Sequence, residues 1–304
     1  MKSTLIHIYN KLTDKQKLYK FTSVKSFCKS EGYNYKVLAK AQEVEEIRPQ
    51  IWNIRENPIT VLHELPETYV AEIEGATVFG ENDIIMSKGV VLSDVFTQKF
   101  ADKMSLNKRI VKSVDLERKE IELEYHNYRK LPIEEAFSLV GIFPFSYYHF
   151  LINLLPKLYY LYQCEEYKSC PLLVDRRAYE NFKAIIDVFN IHNRPIICVG
   201  ADTALKVKRL IVSSNCVWYD RYVLEEFIGL TGHVYDKAAM QFVREHALSL
   251  VESKNEMKRI FVSRRKQGEE RRRLDNEDEV EDLTGKKIIS SIDELTNVNE
   301  GNNE

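Results

Sequence analysis

The chain has 304 residues, 44% hydrophobic and 30% charged, with a formal net charge of −2. That is a globular composition, long enough for two modest domains, and its near balance of charge excludes a global field that would draw it to nucleic acid or acidic lipid. Five scattered cysteines, none in a Cys-x-x-Cys pair, argue for reduced thiols, and the dispersed histidines offer no zinc-ligand spacing.

The N-terminus carries no signal-peptide pattern: Leu5-Ile6-His7-Ile8 is too short, and Lys11, Lys15 and Lys17 follow. A cytoplasmic location is the expectation. Residues 1–58 read as a peripheral segment, with two short helices expected in residues 1–50. Between Ile59 and Asp94 the signal changes to short strands: Tyr69–Ile73, Ala76–Phe79, Ile84–Met86 and Val90–Leu92, with Gly80-Glu81-Asn82-Asp83 as a turn. This predicts a small antiparallel sheet. Residues 98–130 are charged and carry no clear period.

Ala136–Val140 reads as a strand, Pro144–Ser146 as a turn, and Tyr147–Cys164 as a helix with a broad apolar face. The apolar stretch Phe137–Tyr162 is the one candidate membrane span. Two prolines, His149, Asn153 and Lys157 argue against a spanning helix. Strands at Leu172–Val174, Pro195–Val199 and Val207–Val212 then alternate with helices at Ala178–Phe189, from Leu224 and at Lys237–Val251. Such alternation indicates a parallel sheet covered by helices on both faces. A further unit starts at Arg259, and the polar tail from Asn297 follows.

Basic charge is concentrated between Lys254 and Arg273. Arg264 and Arg265 end a short β-branched and aromatic run, Arg271–Arg273 follow a polar loop, and Asn276-Glu277 suit a helix start. A strand–loop–helix unit carrying arginines is suited to phosphate, because free helix N–H groups and the guanidinium fork both match its oxygens. Arg264 and Arg273 are the favoured donors, while Arg265, Arg271 and Arg272 read as a solvated face. Acidic residues follow at once and no aromatic platform is interleaved, which argues against a nucleic-acid partner. His149, after a Pro-Phe-Ser turn, has two readings: a cleft residue acting as base or ligand contact, or a buried helix histidine bonded to a backbone carbonyl. Tyr147 and Tyr148 are rim or core aromatics, or a sugar-stacking surface. Asp175 is expected to cap the helix that follows it. Pro156 is expected as a mid-helix kink, and Lys157 at the surface.

Two segments together resemble glycosyltransferase family 61. Tyr147-Tyr148-His149-Phe150-Leu151 with Leu154-Leu155-Pro156-Lys157-Leu158 is similar to that family's aromatic-Tyr-His signature. Ser263-Arg264-Arg265 with Arg272-Arg273-Leu274-Asp275-Asn276-Glu277 is similar to its Ser-Arg…Arg-Arg-x-x-Asn-Glu block. The resemblance covers about Ile59 to Asp282. It implies a GT-B-like α/β architecture: an N-terminal Rossmann-like acceptor-side domain over 59–252 with a small β-sheet extension, and a second, nucleotide-sugar-binding one from 253 to 304. That second domain is expected to be incomplete, because the family's later Gly-rich, His-containing loop has no counterpart here. Also implied is inverting transfer from a nucleotide sugar to a glycan acceptor, without cofactor or metal, in surface-polysaccharide (capsule) synthesis, with peripheral association to a membrane-bound machinery. The sequence itself has no Asp-x-Asp cation motif. On this reading His149 is the catalytic candidate. Arg264, Arg273, Asn276 and Glu277 face the donor, Tyr147 and Tyr148 the acceptor. Asp175 and Glu135 both remain open as the base. The rival expectation is an inactive module that binds acceptor or a partner protein.

Overall fold

A computed structural model describes residues 17–48, 59–94, 109–127, 132–201, 203–220, 232–250, 261–262 and 288–289. The chain divides into two compact units, Met1–Ala247 and Leu248–Glu304.

The first unit is organised by one large mixed sheet. Its strands begin with β1 (Lys17–Thr22), β2 (Tyr35–Ala39), β5 (Thr68–Phe79), β6 (Ile85–Ser87) and β7 (Val90–Leu92). They continue with β8 (Val111–Asp115), β9 (Glu120–Leu123), β10 (His126–Asn127), β11 (Ile133–Ser138), β12 (Leu172–Asp175), β13 (Ile196–Val199) and β14 (Thr203–Ser213). The order is β13-β12-β11-β14-β5-β6-β7-β1-β9-β8, with β10 beside β14 and β2 beside β5. Strands β3 (Gln42–Arg48) and β4 (Ile59–Leu65) form a separate antiparallel pair, as do β15 (Val217–Asp220) and β16 (Gly232–Tyr235).

From β13 to β14 the pairing is parallel, as the strand–helix alternation predicts. The expected N-terminal sheet is not a separate extension. β5 pairs antiparallel with β14 from Ala204↔Phe79 to Ser213↔Val70, which joins both halves into one sheet. β5 is buried along most of its length, so it behaves as a central strand, and Gly75 takes φ +58° within it while the pairing with β14 keeps one register on either side. The expectation of two short helices in residues 1–50 falls partly on residues outside the described ones. Among the described residues that region holds one helix, α1 (Val24–Glu31), and strands β1, β2 and β3. Ser23 caps α1 by accepting from the Ser26 N–H, and Gly32 at φ +70° ends it.

Side chains of the parallel strands alternate between two layers. Phe137, Leu172, Val174 and Ile211 pack beneath the segment 147–162, α4 (Arg176–Phe189) and α5 (Lys237–Ser249). Ala136, Leu173, Leu210 and Val212 face the other way, toward α1 through Val24, Phe27 and Cys28. Helices therefore cover both faces. The segment predicted as one helix from Tyr147 to Cys164 is three pieces: a single turn α2 (Tyr147–His149), a π-turn over Phe150–Leu154, and α3 (Lys157–Tyr162). Pro156 lacks an N–H and stands at the start of α3, where none is needed. No helix among the described residues is long and apolar enough to cross a membrane.

In the second unit β17 (Phe261–Val262) and β18 (Ile288–Ile289) pair in parallel.

Candidate functional site

Two loops meet over the end of β12. One follows β5, the other follows β11. At Gly80 an added Cβ would collide with the Gly200 carbonyl, so two backbones pass in contact, and the Gly80 N–H bonds Thr203 O at 3.0 Å. Asp175, the last residue of β12, is 1% exposed. Its Oδ1 accepts from the Glu81 N–H at 2.7 Å and its Oδ2 from the Gly141 N–H at 3.1 Å. The expectation that Asp175 caps α4 is corrected here. It occupies the N-cap position but makes no side-chain bond to that helix, because both oxygens are engaged by the two loops. Burial drives its pKa up to about 8, against the pull of the two N–H groups, with Glu81 and Asp83 raising it further.

A second carboxylate, half-buried, stands beside it. Asp83 accepts the Ile142 N–H; burial raises its pKa, while Lys157, that N–H and His149 lower it. Lys157 is 7% exposed, which corrects the expectation of a surface residue. Its ammonium also lies within electrostatic range of Asp94 and Cys216. Asp94 accepts the Val24 N–H at 2.9 Å and the Tyr69 hydroxyl, and burial raises its pKa as well. Gly141 is what allows this packing: a Cβ there would lie 2.5 Å from Leu154 Cδ2 and 2.8 Å from Asp83 Oδ1. Asn82, Asp83, Asp94, Ser138 and Lys157 share a cavity of about 50 Å³. Ligand pockets run to roughly 300–1,000 Å³, so this is a charged floor and not a substrate chamber.

His149 stands above that floor, half-buried. In a regular α-helix residues 149 and 157 would point about 80° apart. The intervening π-turn, closed by Leu155 N–H to Phe150 O at 2.9 Å, winds less per residue. Both side chains consequently act on Asp83. The His149 ring lies 5.0 Å from Phe143 and 5.3 Å from Tyr148, and its Nδ1 is 3.4 Å from Asn153 Nδ2. An Asn153 amide donating to Nδ1 leaves the neutral ring's proton on Nε2; the reverse amide orientation leaves Nε2 as the acceptor. Phe143 holds φ +51° and Glu81 φ +57°, so each loop carries a non-glycine residue in the left-handed region beside the cluster.

The rim is aromatic. Tyr147 and Tyr148 are exposed, and the Tyr148 and Tyr235 hydroxyls are 3.0 Å apart. Arg177 lies 3.8 Å over the Phe145 ring and bonds Glu81 at 3.0 Å, linking the two loops from outside. The structure thus brings His149, Tyr147 and Tyr148 together. Glu135 is remote from this role, since its carboxylate is paired with Arg209. Arg264, Arg273, Asn276 and Glu277 lie outside the described residues.

Asp83 and Asp94 were not read as site residues in the sequence, and Lys157 was read as a surface residue. The two aspartates stand in turn contexts, Asn82-Asp83-Ile84 and Leu92-Ser93-Asp94, where Asp is an ordinary turn former. A signal for Lys157 was present, since it follows Leu154-Leu155-Pro156 inside an apolar segment.

A family model described as Glycosyltransferase 61 matches residues 147–298. No curated protein and no solved structure matches the chain.

Proposed function

This chain belongs to glycosyltransferase family 61, and we propose that it moves a sugar from a nucleotide-sugar donor to a glycan hydroxyl, with inversion and without a metal. The observation that carries the reading is where the family match falls. It starts at Tyr147, takes in His149 and Lys157 beside the carboxylate cluster, and runs on through Arg264, Arg273 and Asn276.

An inverting transfer needs a group that takes the acceptor's proton as oxygen attacks the anomeric carbon from the face opposite the leaving diphosphate. His149 is assigned that part. Asp175 is unsuited, because both of its oxygens are engaged and its raised pKa keeps most of it protonated at pH 7. Asp83 lies within electrostatic range of the ring, and Lys157 acts on the same carboxylate. Tyr147 and Tyr148 offer ring faces to the acceptor. Arg264 and Arg273 are assigned to the leaving diphosphate by electrostatic stabilisation, with Asn276 and Glu277 as further donor contacts.

A GT-B arrangement is supported by two compact units that each contain parallel strand pairing. Metal independence is supported by the absence of an Asp-x-Asp motif from the sequence. The surface-polysaccharide role, and the cytoplasmic location at the inner face of a membrane that goes with it, rest on the resemblance to bacterial family members.

The test is a transfer assay over a panel of nucleotide sugars, comparing the wild type with His149→Ala and His149→Gln. Losing a general base should lower the rate about 10²- to 10⁴-fold with donor affinity retained. Equal rates in all three proteins would remove His149 from the chemistry.

A further inference from the structure

A second concavity lies apart from the His149 cluster and shares no lining residue with the cavity beneath it. It is an open groove of about 440 Å³, within the range of small-ligand sites. Five separate pieces of chain build it: the end of β2, the β4–β5 link, α3, β15 and the start of α5. Its wall is apolar and aromatic, with Leu38, Leu65, Tyr159 and Trp218. Its rim is amide and ammonium, with Gln42, Gln163, Gln241, Lys40 and Lys237.

The acid in the groove is already engaged. Asp236 accepts the Tyr160 hydroxyl at 2.6 Å on one oxygen, and the Ala238 and Ala239 N–H groups at 2.8 and 3.1 Å on the other. It closes the N-terminus of α5. Among the described residues neither the Trp218 indole N–H nor the Tyr159 hydroxyl has a hydrogen-bond partner. Trp218 is only 8% exposed, so most of its ring is packed into the groove wall.

Flat aromatic faces beside side-chain amides, each able to donate and accept, suit a ligand with an apolar C–H face and a rim of hydroxyls. Neither a nucleotide phosphate nor a lipid chain fits this set. The lysines are exposed and separated by amides, and the rim of amides and ammonium groups is too polar for acyl chains. We infer that this groove binds an oligosaccharide, holding a stretch of glycan away from the site of transfer. The inference rests on the transferase reading only for the source of the glycan. The binding itself is independent of catalysis.

The experiment uses the full chain, screened by calorimetry against neutral and uronate-containing oligosaccharides of two to six sugars. Two variants address the groove without cutting into the core. Gln163→Ala/Gln241→Ala removes exposed amides, and Ala238→Trp fills the groove from an exposed helix position. Wild type should bind at least one saccharide class, and both variants should bind it tenfold or more weakly with unchanged melting temperature. The inference is overturned if no oligosaccharide binds wild type, or if both variants bind as wild type does. Nucleoside diphosphate affinity, measured on the same samples, tests the transferase reading separately. Its loss with retained saccharide binding would remove the transferase while leaving the groove.

Discussion

Asp175→Asn probes the buried lock between the two loops. In the folded protein the Asp175 carboxyl has its pKa raised from 3.8 to about 8 by burial. A folded-state value above the unfolded one means that the native state holds a proton the unfolded chain has released. The resulting stability is present below about pH 4 and is lost as pH rises to about 8. Four units at about 1.36 kcal/mol each put that loss on the order of 5 kcal/mol across the window. Asparagine does not titrate. It keeps one acceptor for the Glu81 or Gly141 N–H and turns an NH₂ toward the other, which should cost about 1–3 kcal/mol. The variant should therefore be the less stable protein near pH 4, with the gap closing as pH rises, and match or exceed wild type by pH 9. Urea unfolding at half-unit steps from pH 4 to 9 measures this. Asp83 and Asp94 also have raised values and stay in the variant, so its pH slope should shrink without vanishing. Parallel stability curves for the two proteins would refute the account of Asp175.

Gly141→Ala should destabilise the fold by about 1–3 kcal/mol, because its Cβ must displace Leu154 or the Asp83 carboxylate; an unchanged melting curve would show slack that the packing does not have. Lys157→Met should raise the Asp83 and Asp94 pKa values further, since Lys157 lowers both. Carboxylate chemical shifts followed by pH titration would show it, and unmoved titrations would place the ammonium elsewhere. Leu158→Ala, at a fully buried position of α3, should cost about 2–5 kcal/mol in urea unfolding; a loss under 1 kcal/mol would mean that α3 is not part of the core.

The parallel half of the fold was legible because its pattern is local. Leu172–Val174, Pro195–Val199 and Val207–Val212 are short apolar runs between turns, and each falls within a residue or so of β12, β13 or lies inside β14. The helix at Lys237 was equally clear. Residues 17–48 were misread because their strands gain stability from distant partners, β1 from β7 and β9, and β2 from β5. Lysines on exposed strand positions then look like a helical surface. The Ser23…Gly32 cap pair was in view and would have fixed the single helix there. Within the site, His149 and its flanking tyrosines were legible as a pattern of residue types. Asp175 was misassigned because a residue following a strand and preceding a helix is a cap by local rules. Only the arrival of Glu81 and Gly141 from elsewhere in the chain redirects its oxygens. Lys157 was misplaced for a related reason. The π-turn that rotates it inward is set by packing and has no sequence period.

The central claim is that this chain uses a nucleotide-linked sugar, and the most direct measurement is calorimetric titration of the full chain with uridine, guanosine, adenosine and cytidine diphosphates. The account predicts that at least one binds, and that Arg264→Ala and Arg273→Ala each weaken it roughly ten- to a hundredfold, the worth of a charge-assisted contact of about 1.5–3 kcal/mol. Absence of binding by all four, or equal affinities in wild type and both variants, would contradict it.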